Sequence, residues 1–269
     1  TAINGSAADV ANALADTEIT HSNTFAVTLT ETSAAATDLT SIDSATNAVV
    51  DGSLVTTLTG TAAQIAAAAE LDRLGTTTLK DNFGATVSSG TVSASDLSTI
   101  SARTTATVDA TAVTTITGTA SEVATALADE EISHTNTFGV SISDISTATA
   151  SDLAAINAAT NQNINSTGIT TITGSASDIK AIVDAEHDSN DGINLDNNFT
   201  ATVTGDTAAA SDLTAVSLTT SGTINATGIS TFTGTAEEVR ILLADIEITH
   251  SATFAVTLTT DSTATASDL

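Results

Sequence analysis

The sequence predicts an α/β fold: a repeat solenoid of ~28-residue strand–helix coils, two coils per ~56-residue repeat. A parallel stacked sheet is expected on one side and short helices on the other. Three observations predict it. One motif recurs at nearly constant spacing. Each copy joins a strand-like run to a helix start. A second helix signal falls about midway between copies.

The motif is Ile116-Thr117-Gly118-Thr119-Ala120-Ser121-Glu122-Val123. It recurs from Ile3, Leu58, Ile172 and Phe232, and its glycines are Gly5, Gly60, Gly118, Gly174 and Gly234, at steps of 55, 58, 56 and 60 residues. The Thr-rich run before each glycine has strand composition. Gly permits the turn. Thr119 then precedes Glu122 by three residues, the spacing of a capping box, in which hydroxyl and carboxylate each satisfy an otherwise orphaned N–H. Ser6/Asp9, Thr61/Gln64, Ser175/Asp178 and Thr235/Glu238 repeat the pair.

Inside each first helix, Val10/Leu14, Val123/Leu127 and Val239/Leu243 predict an i,i+4 apolar stripe. A strand with alternating apolar residues follows, beginning at Phe25, Phe83, Phe138, Phe199 or Phe254. Alternation puts Phe and aliphatic residues on one face and Thr or Ser on the other. The five Phe are expected to stack as a buried ladder. The outward residues Thr28, Thr86, Ser141, Thr202 and Thr257 are expected to form a column, with Thr30, Ser88, Ser143, Thr204 and Thr259 beside it.

The second half of each repeat opens with Ser/Thr-Ala-Ser-Asp-Leu, as at Thr149–Leu153, although Ala35 and Ala209 stand at the cap in two copies. Asp51, Asp109, Asn165 and Asn225 then align as a turn ladder, expected to satisfy N–H groups of the neighbouring coil. Together these elements predict one continuous solenoid over 1–269, with repeats at about 3–57, 58–115, 116–171, 172–231 and an incomplete 232–269. The first, third and fifth repeats share a Thr/Ser-His-Ser/Thr run before the Phe. The second and fourth carry longer connections, at 71–82 and 184–198, so a double-repeat period of about 114 is superimposed. Connections that recur at one place are expected on one face. No Pro/Gly/Ser-rich linker separates the repeats, which argues against a row of separate beads.

Composition narrows the function. Thirty-two acidic residues against five Lys/Arg give a formal net charge of −27. Nucleic acid and anionic membranes need cationic patches, so neither is an expected partner. No stretch is long and apolar enough for membrane insertion. The chain has no Cys, so disulfides and thiol chemistry are excluded, and only 2% aromatic residues. Ala, Val, Ile, Leu and six Phe must build the core. Asp268-Leu269 matches Asp152-Leu153 in mid-unit, so the sequence reads as a piece of something longer.

Candidate chemistry is sparse. His21, His134 and His250 occupy equivalent positions, whereas a catalytic site is one unsymmetrical cluster. They read as packing residues, and no enzyme and no resident cofactor is expected. The densest acidic segment offers Asp184, Glu186, Asp188, Asn190, Asp191 and Asp196 as calcium candidates. Its spacing departs from the EF-hand: Gly192 comes one residue early after Asp188, and no Glu closes the loop. Flat Thr columns could also order water, which makes ice binding a minor alternative. Sequons for N-linked glycans lie at Asn165, Asn198 and Asn225.

The Thr/Ala/Ser/Asp-rich repeats and their T-G-T-A-x-E-V signature resemble the very large repetitive cell-surface and adhesin-like proteins of marine bacteria, notably cyanobacteria. In periodicity alone the chain resembles leucine-rich-repeat solenoids, without their leucine/asparagine consensus. The surface-protein resemblance implies an extracellular or cell-surface structural role. The expected partner is the protein itself, end to end or laterally, or further repeats of a longer parent chain, within a filament, sheath or surface layer. The alternative is an adhesin stalk or phage-fibre binding module that contacts glycans or a host surface through the longer connections.

Overall fold

The structure, a computed structural model, describes residues 2–144, 146–186 and 192–259. The fold is α/β, with parallel strands in stacked sheets. The described residues contain nine helices: α1 (Ala7–Ala15), α2 (Ala36–Ala45), α3 (Ala62–Leu74), α4 (Ala94–Ser101), α5 (Ala120–Ala128), α6 (Ala150–Ala159), α7 (Ala176–Glu186), α8 (Ala210–Ser217) and α9 (Ala236–Ala244). The chain divides into two compact units, Thr1–Thr117 with Thr125–Phe138, and Gly118–Ala124 with Gly139–Leu269.

In the first unit, strands Ala2–Gly5, Ala26–Leu29, Val50–Asp51 and Thr77–Thr78 pair in parallel in that order. Ser33–Ala35, Thr57–Gly60, Gly84–Val87, Val108–Asp109 and Ile132–Ser133 form a second parallel series. Gly90–Ser93 pairs with Val113–Gly118. Helix α1 packs on α2, α2 on α3 and α3 on α4.

In the second unit, Gly139–Ile142, Ile164–Asn165 and Ile193–Asn194 pair in parallel. Thr147–Thr149, Thr171–Gly174, Thr200–Val203, Ile224–Ala226 and Ile248–His250 form a longer series. Thr207–Ala209, Thr231–Gly234 and Ala255–Leu258 form a third. Helices α6, α7, α8 and α9 pack in succession.

The single stacked sheet expected from the sequence is therefore replaced by several short ones. Strand and helix advance at different rates. Ala2 lies opposite Ala26, whereas α1 and α2 begin at Ala7 and Ala36. Each partner strand thus slides back from its helix, and a fresh strand opens the next sheet. Such opening strands are Ser33–Ala35, Gly90–Ser93, Thr147–Thr149 and Thr207–Ala209, each leading directly into α2, α4, α6 or α8.

The cores are aliphatic, as expected. Strand alternation buries Val27 and Leu29, Ala85 and Val87, Val140 and Ile142, and Ala201 and Val203. The helix stripe corrects the expected register. Val239 pairs inward with Leu242, Val123 with Ala126 and Ile179 with Ile182, an i,i+3 spacing. Leu14 and Leu127 are only half-buried, and Leu243 is 41% exposed. The helices span about two to three and a half turns, and their inward faces open with a buried alanine, so the best-covered face runs from that alanine through i+3 rather than i+4.

The five predicted caps form, in two chemical versions. Where Gln64, Glu122 or Glu238 stands at the third position, its side chain reaches the cap N–H of Thr61, Thr119 or Thr235 at 2.9, 2.9 and 2.7 Å. Where Asp9 or Asp178 stands there, the shorter carboxylate takes the cap hydroxyl of Ser6 or Ser175 instead, at 2.7 and 2.6 Å. Under either version the first helical N–H can take a second carboxylate: Glu31 accepts from Ala7 in α1 at 2.6 Å and Asp144 from Ala120 in α5 at 2.7 Å. At the second kind of helix Thr149 caps Asp152, but Ser93 makes no cap bond and engages Ser95.

Candidate functional site

The sequence singles out five groups of residues, and the structure gives each a local setting. The histidines pack on phenylalanine edges. His21 meets Phe25 at 5.2 Å, His134 meets Phe138 at 5.3 Å and His250 meets Phe254 at 5.2 Å, all near perpendicular. In each, Nδ1 donates to the carbonyl of the next residue, Ser22, Thr135 or Ser251, because a carbonyl can only accept. Each ring thus sits between the backbone just after it and the edge of the phenylalanine four residues on.

The aromatic ladder differs from its expected form. Phe25, Phe83, Phe138 and Phe199 are at most 2% exposed, but Phe254 is only half-buried and Phe232 is fully buried in its place. Phe232 and Phe254 meet at 5.2 Å. The equivalent phenylalanines come one per repeat while strands pair once per coil, so an intervening coil separates them. Sequence inspection misses a companion set. Thr46, Thr104, Thr160 and Thr220 are buried polar side chains. Thr46 Oγ1 donates to Phe25 O at 2.6 Å, and Thr104 and Thr220 do the same to Phe83 and Phe199. Each of the three hydroxyls also accepts a backbone N–H two residues on. The signal that could have found them is a Thr recurring 21 residues after Phe25, Phe83 and Phe199.

The Asx positions are turns, but local ones, which corrects the expectation that they bond the neighbouring coil. Asp51 Oδ1 accepts from Ser53 N at 3.1 Å and Asp109 Oδ1 from Thr111 N at 3.0 Å. Asn165 and Asn225 accept from Thr167 N and Thr227 N at 3.4 and 3.1 Å. A side-chain oxygen two residues upstream is the nearest acceptor for an N–H that the chain reversal frees. The Thr111 hydroxyl, then the Thr111 N–H, hold the Asp109 carboxyl below the usual carboxylate range, against a small opposing effect of burial. Ser53 lowers Asp51 in the same way.

The outward columns are mixed. Thr28 lies between Asn4 and Asp51, Thr86 between Thr59 and Asp109, and Thr202 between Thr173 and Asn225. The residues aligned in the sequence are two coils apart, and Asx residues from the alternate coils stand among them. A uniform Thr lattice is not what these strands present.

Of the calcium candidates, Asp188, Asn190 and Asp191 lie outside the described residues. Asp184 pairs with Lys180 at 2.6 Å, and Asp196 Oδ1 accepts from Asn198 N at 3.3 Å. Among the described residues, no three His, Asp or Glu side chains are grouped to hold a metal ion. Among the described residues, no helix is long and apolar enough to cross a membrane. Four of the five basic side chains are in ion pairs: Arg73 and Arg103 on Glu70, Lys180 on Asp184 and Arg240 on Glu237. Most acids therefore have no basic partner to offset their charge.

Two strands of the same sequence differ in their neighbours. Ala26–Leu29 is flanked on both sides, by Ala2–Gly5 and Val50–Asp51. Among the described residues Ala255–Leu258 is flanked only by Thr231–Gly234. Val256 and Leu258 are 40% and 38% exposed. Comparison of the chain with known protein families, curated proteins and solved structures finds no match.

Proposed function

We propose that this is a structural repeat protein: a solenoid of ~28-residue coils that stacks end to end with further coils of its own kind, as part of an extracellular filament, sheath or surface layer. The observation that carries the reading is a repeated heptapeptide. Thr24-Phe25-Ala26-Val27-Thr28-Leu29-Thr30 and Thr253-Phe254-Ala255-Val256-Thr257-Leu258-Thr259 are identical. In the first copy Val27 and Leu29 are 1% and 0% exposed, because a further strand lies along that edge with Val50 opposite Val27. The second copy lies parallel to Thr231–Gly234 as the first lies parallel to Ala2–Gly5. The same sequence, with the same inward alternation, has the chemistry to receive the same kind of neighbour. An open strand edge with apolar side chains is a template for pairing.

The charge supports this reading. With a net charge of −27, lateral contact between like surfaces is opposed, while an edge-to-edge contact is aliphatic.

The test is the size of the native object. Electron microscopy and a denaturing gel are run on one sample, stained without reliance on aromatics. Long filaments with a subunit near 26.6 kDa support stacking of separate chains. Long filaments with a giant polypeptide support coils of one parent chain. Short single particles overturn the filament reading in favour of a binding module on an adhesin stalk or phage fibre.

A further inference from the structure

We propose that Asn165 and Asn225 are acceptor sites for an N-linked glycan, and that the sequon at Asn198 is not. Asn165-Ser166-Thr167 and Asn225-Ala226-Thr227 share one geometry. Both asparagines are exposed and each is flanked by two buried residues, Ile164 and Ser166 or Ile224 and Ala226, so the amide stands clear of the sheet. Oδ1 of Asn225 accepts from the Thr227 hydroxyl at 2.7 Å and from its N–H at 3.1 Å. Oδ1 of Asn165 accepts from the Thr167 hydroxyl at 3.0 Å.

The fold asks only for that oxygen. Asp51 and Asp109 make the same turn with a carboxylate. The turn therefore uses only Oδ1 of Asn165 and Asn225 and makes no use of Nδ2, the atom that would carry the glycan. The hydroxyl two residues on, which a glycosyl acceptor requires, is held against the same amide. Asn198 is the internal contrast. With its amide turned so that nitrogen faces the Asp196 carboxylate, Nδ2 donates to both oxygens at 2.9 and 3.1 Å. Its Thr200 hydroxyl donates to Thr170 O at 3.1 Å rather than to its own asparagine.

The step needs a transferase and a glycan carried on a polyprenyl diphosphate. Nδ2 attacks C1 of the first sugar, the N–C1 bond forms and the C1–O bond to the diphosphate breaks. The polyprenyl diphosphate leaves with the electron pair, and one Nδ2 proton passes to a base of the transferase. No oxidation or reduction occurs. The site stands on the Asx-turn geometry and does not depend on how the coils assemble.

The protein isolated from its own source is digested, and glycopeptides are sequenced by electron-transfer fragmentation, which keeps sugars attached. Glycan is expected on Asn165 and Asn225, with Asn198 bare. A bare asparagine at 165 or 225, or a glycan on Asn198, overturns the assignment. Thr227→Ala made in the same host is expected to strip Asn225 while leaving Asn165 modified; sugar retained on Asn225 overturns it too. Asn225→Asp should lose the glycan there and still show the cooperative melting transition of the folded chain, which separates loss of the acceptor from loss of the fold.

Discussion

Gly174 lies so close to Ala150 that a β-carbon placed on it would come within 2.9 Å of the Ala150 β-carbon. Ala150 is the first residue of α6 and is fully buried. The glycine that ends one strand and the alanine that begins the preceding helix thus share one space. At Gly234 the same β-carbon would meet Glu238 Oε2 at 2.9 Å and Ala210 only at 3.4 Å, and φ +153° there is a backbone reason for glycine. Gly174→Ala should destabilise the fold by about 1–3 kcal/mol, as overpacking does. Urea unfolding, followed by far-ultraviolet circular dichroism because aromatics are few, checks it. Combining it with Ala150→Gly should recover part of the loss, and strict additivity would refute the shared space.

The Thr46 hydroxyl bridges Phe25 O and Ala48 N inside the protein. Thr46→Val keeps the shape and leaves both groups without their partner. The expected cost is about 1–3 kcal/mol for the buried carbonyl. Thr40, whose exposed hydroxyl bonds only Thr37 O in its own helix, is the control. Thr40→Val should shift the midpoint far less.

Acid should act through Asp109. A folded-state pKa depressed below the unfolded one stabilises the fold above the unfolded value, and that contribution disappears as pH falls through the folded one. The window therefore begins near the ordinary carboxylate value of about 4 and extends below it. Asp109→Asn keeps the turn, as Asn165 and Asn225 do. The stability of the native protein relative to this variant should fall as the pH is lowered through that window. Paired melts from neutral to acid pH would reveal a constant difference if the hydroxyl and N–H of Thr111 do not stabilise the carboxylate.

The two heptapeptide copies make a matched experiment. Val27→Thr places a hydroxyl in a closed core and should cost about 1–3 kcal/mol. Val256→Thr, at a position 40% exposed, should barely change the melting temperature but should weaken self-association. Sedimentation velocity on both variants distinguishes them. A Val256→Thr protein that assembles as the native one does would remove the Ala255–Leu258 edge as the contact.

The elements are more legible in the sequence than their partners. Capping pairs such as Thr61/Gln64 and the alternation at Phe25–Leu29 are local, and local chemistry is visible within a few residues. Partner choice is not visible in that way. Asp51 is expected to serve a neighbouring coil and instead serves Ser53, because an acceptor for a reversing backbone is found first within its own turn. Leu243 reads as inward and lies outward, because three- and four-residue spacings are hard to separate in a nine-residue helix. Thr46, Thr104 and Thr220 are hidden among many exposed threonines, since burial depends on what packs over them.

The slippage between strands and helices has a genetic consequence. A fresh sheet opens before α2, α4, α6 and α8, and the helices between them begin from strands already placed inside a sheet. Deleting or duplicating one helix with its strand would bring two sheet openings together or none, leaving a strand with no ladder to join. Deleting or duplicating a pair restores the alternation. Unequal crossing-over between copies would then leave viable descendants only in steps of two coils, and natural length variants should differ by about 57 residues or a multiple of it.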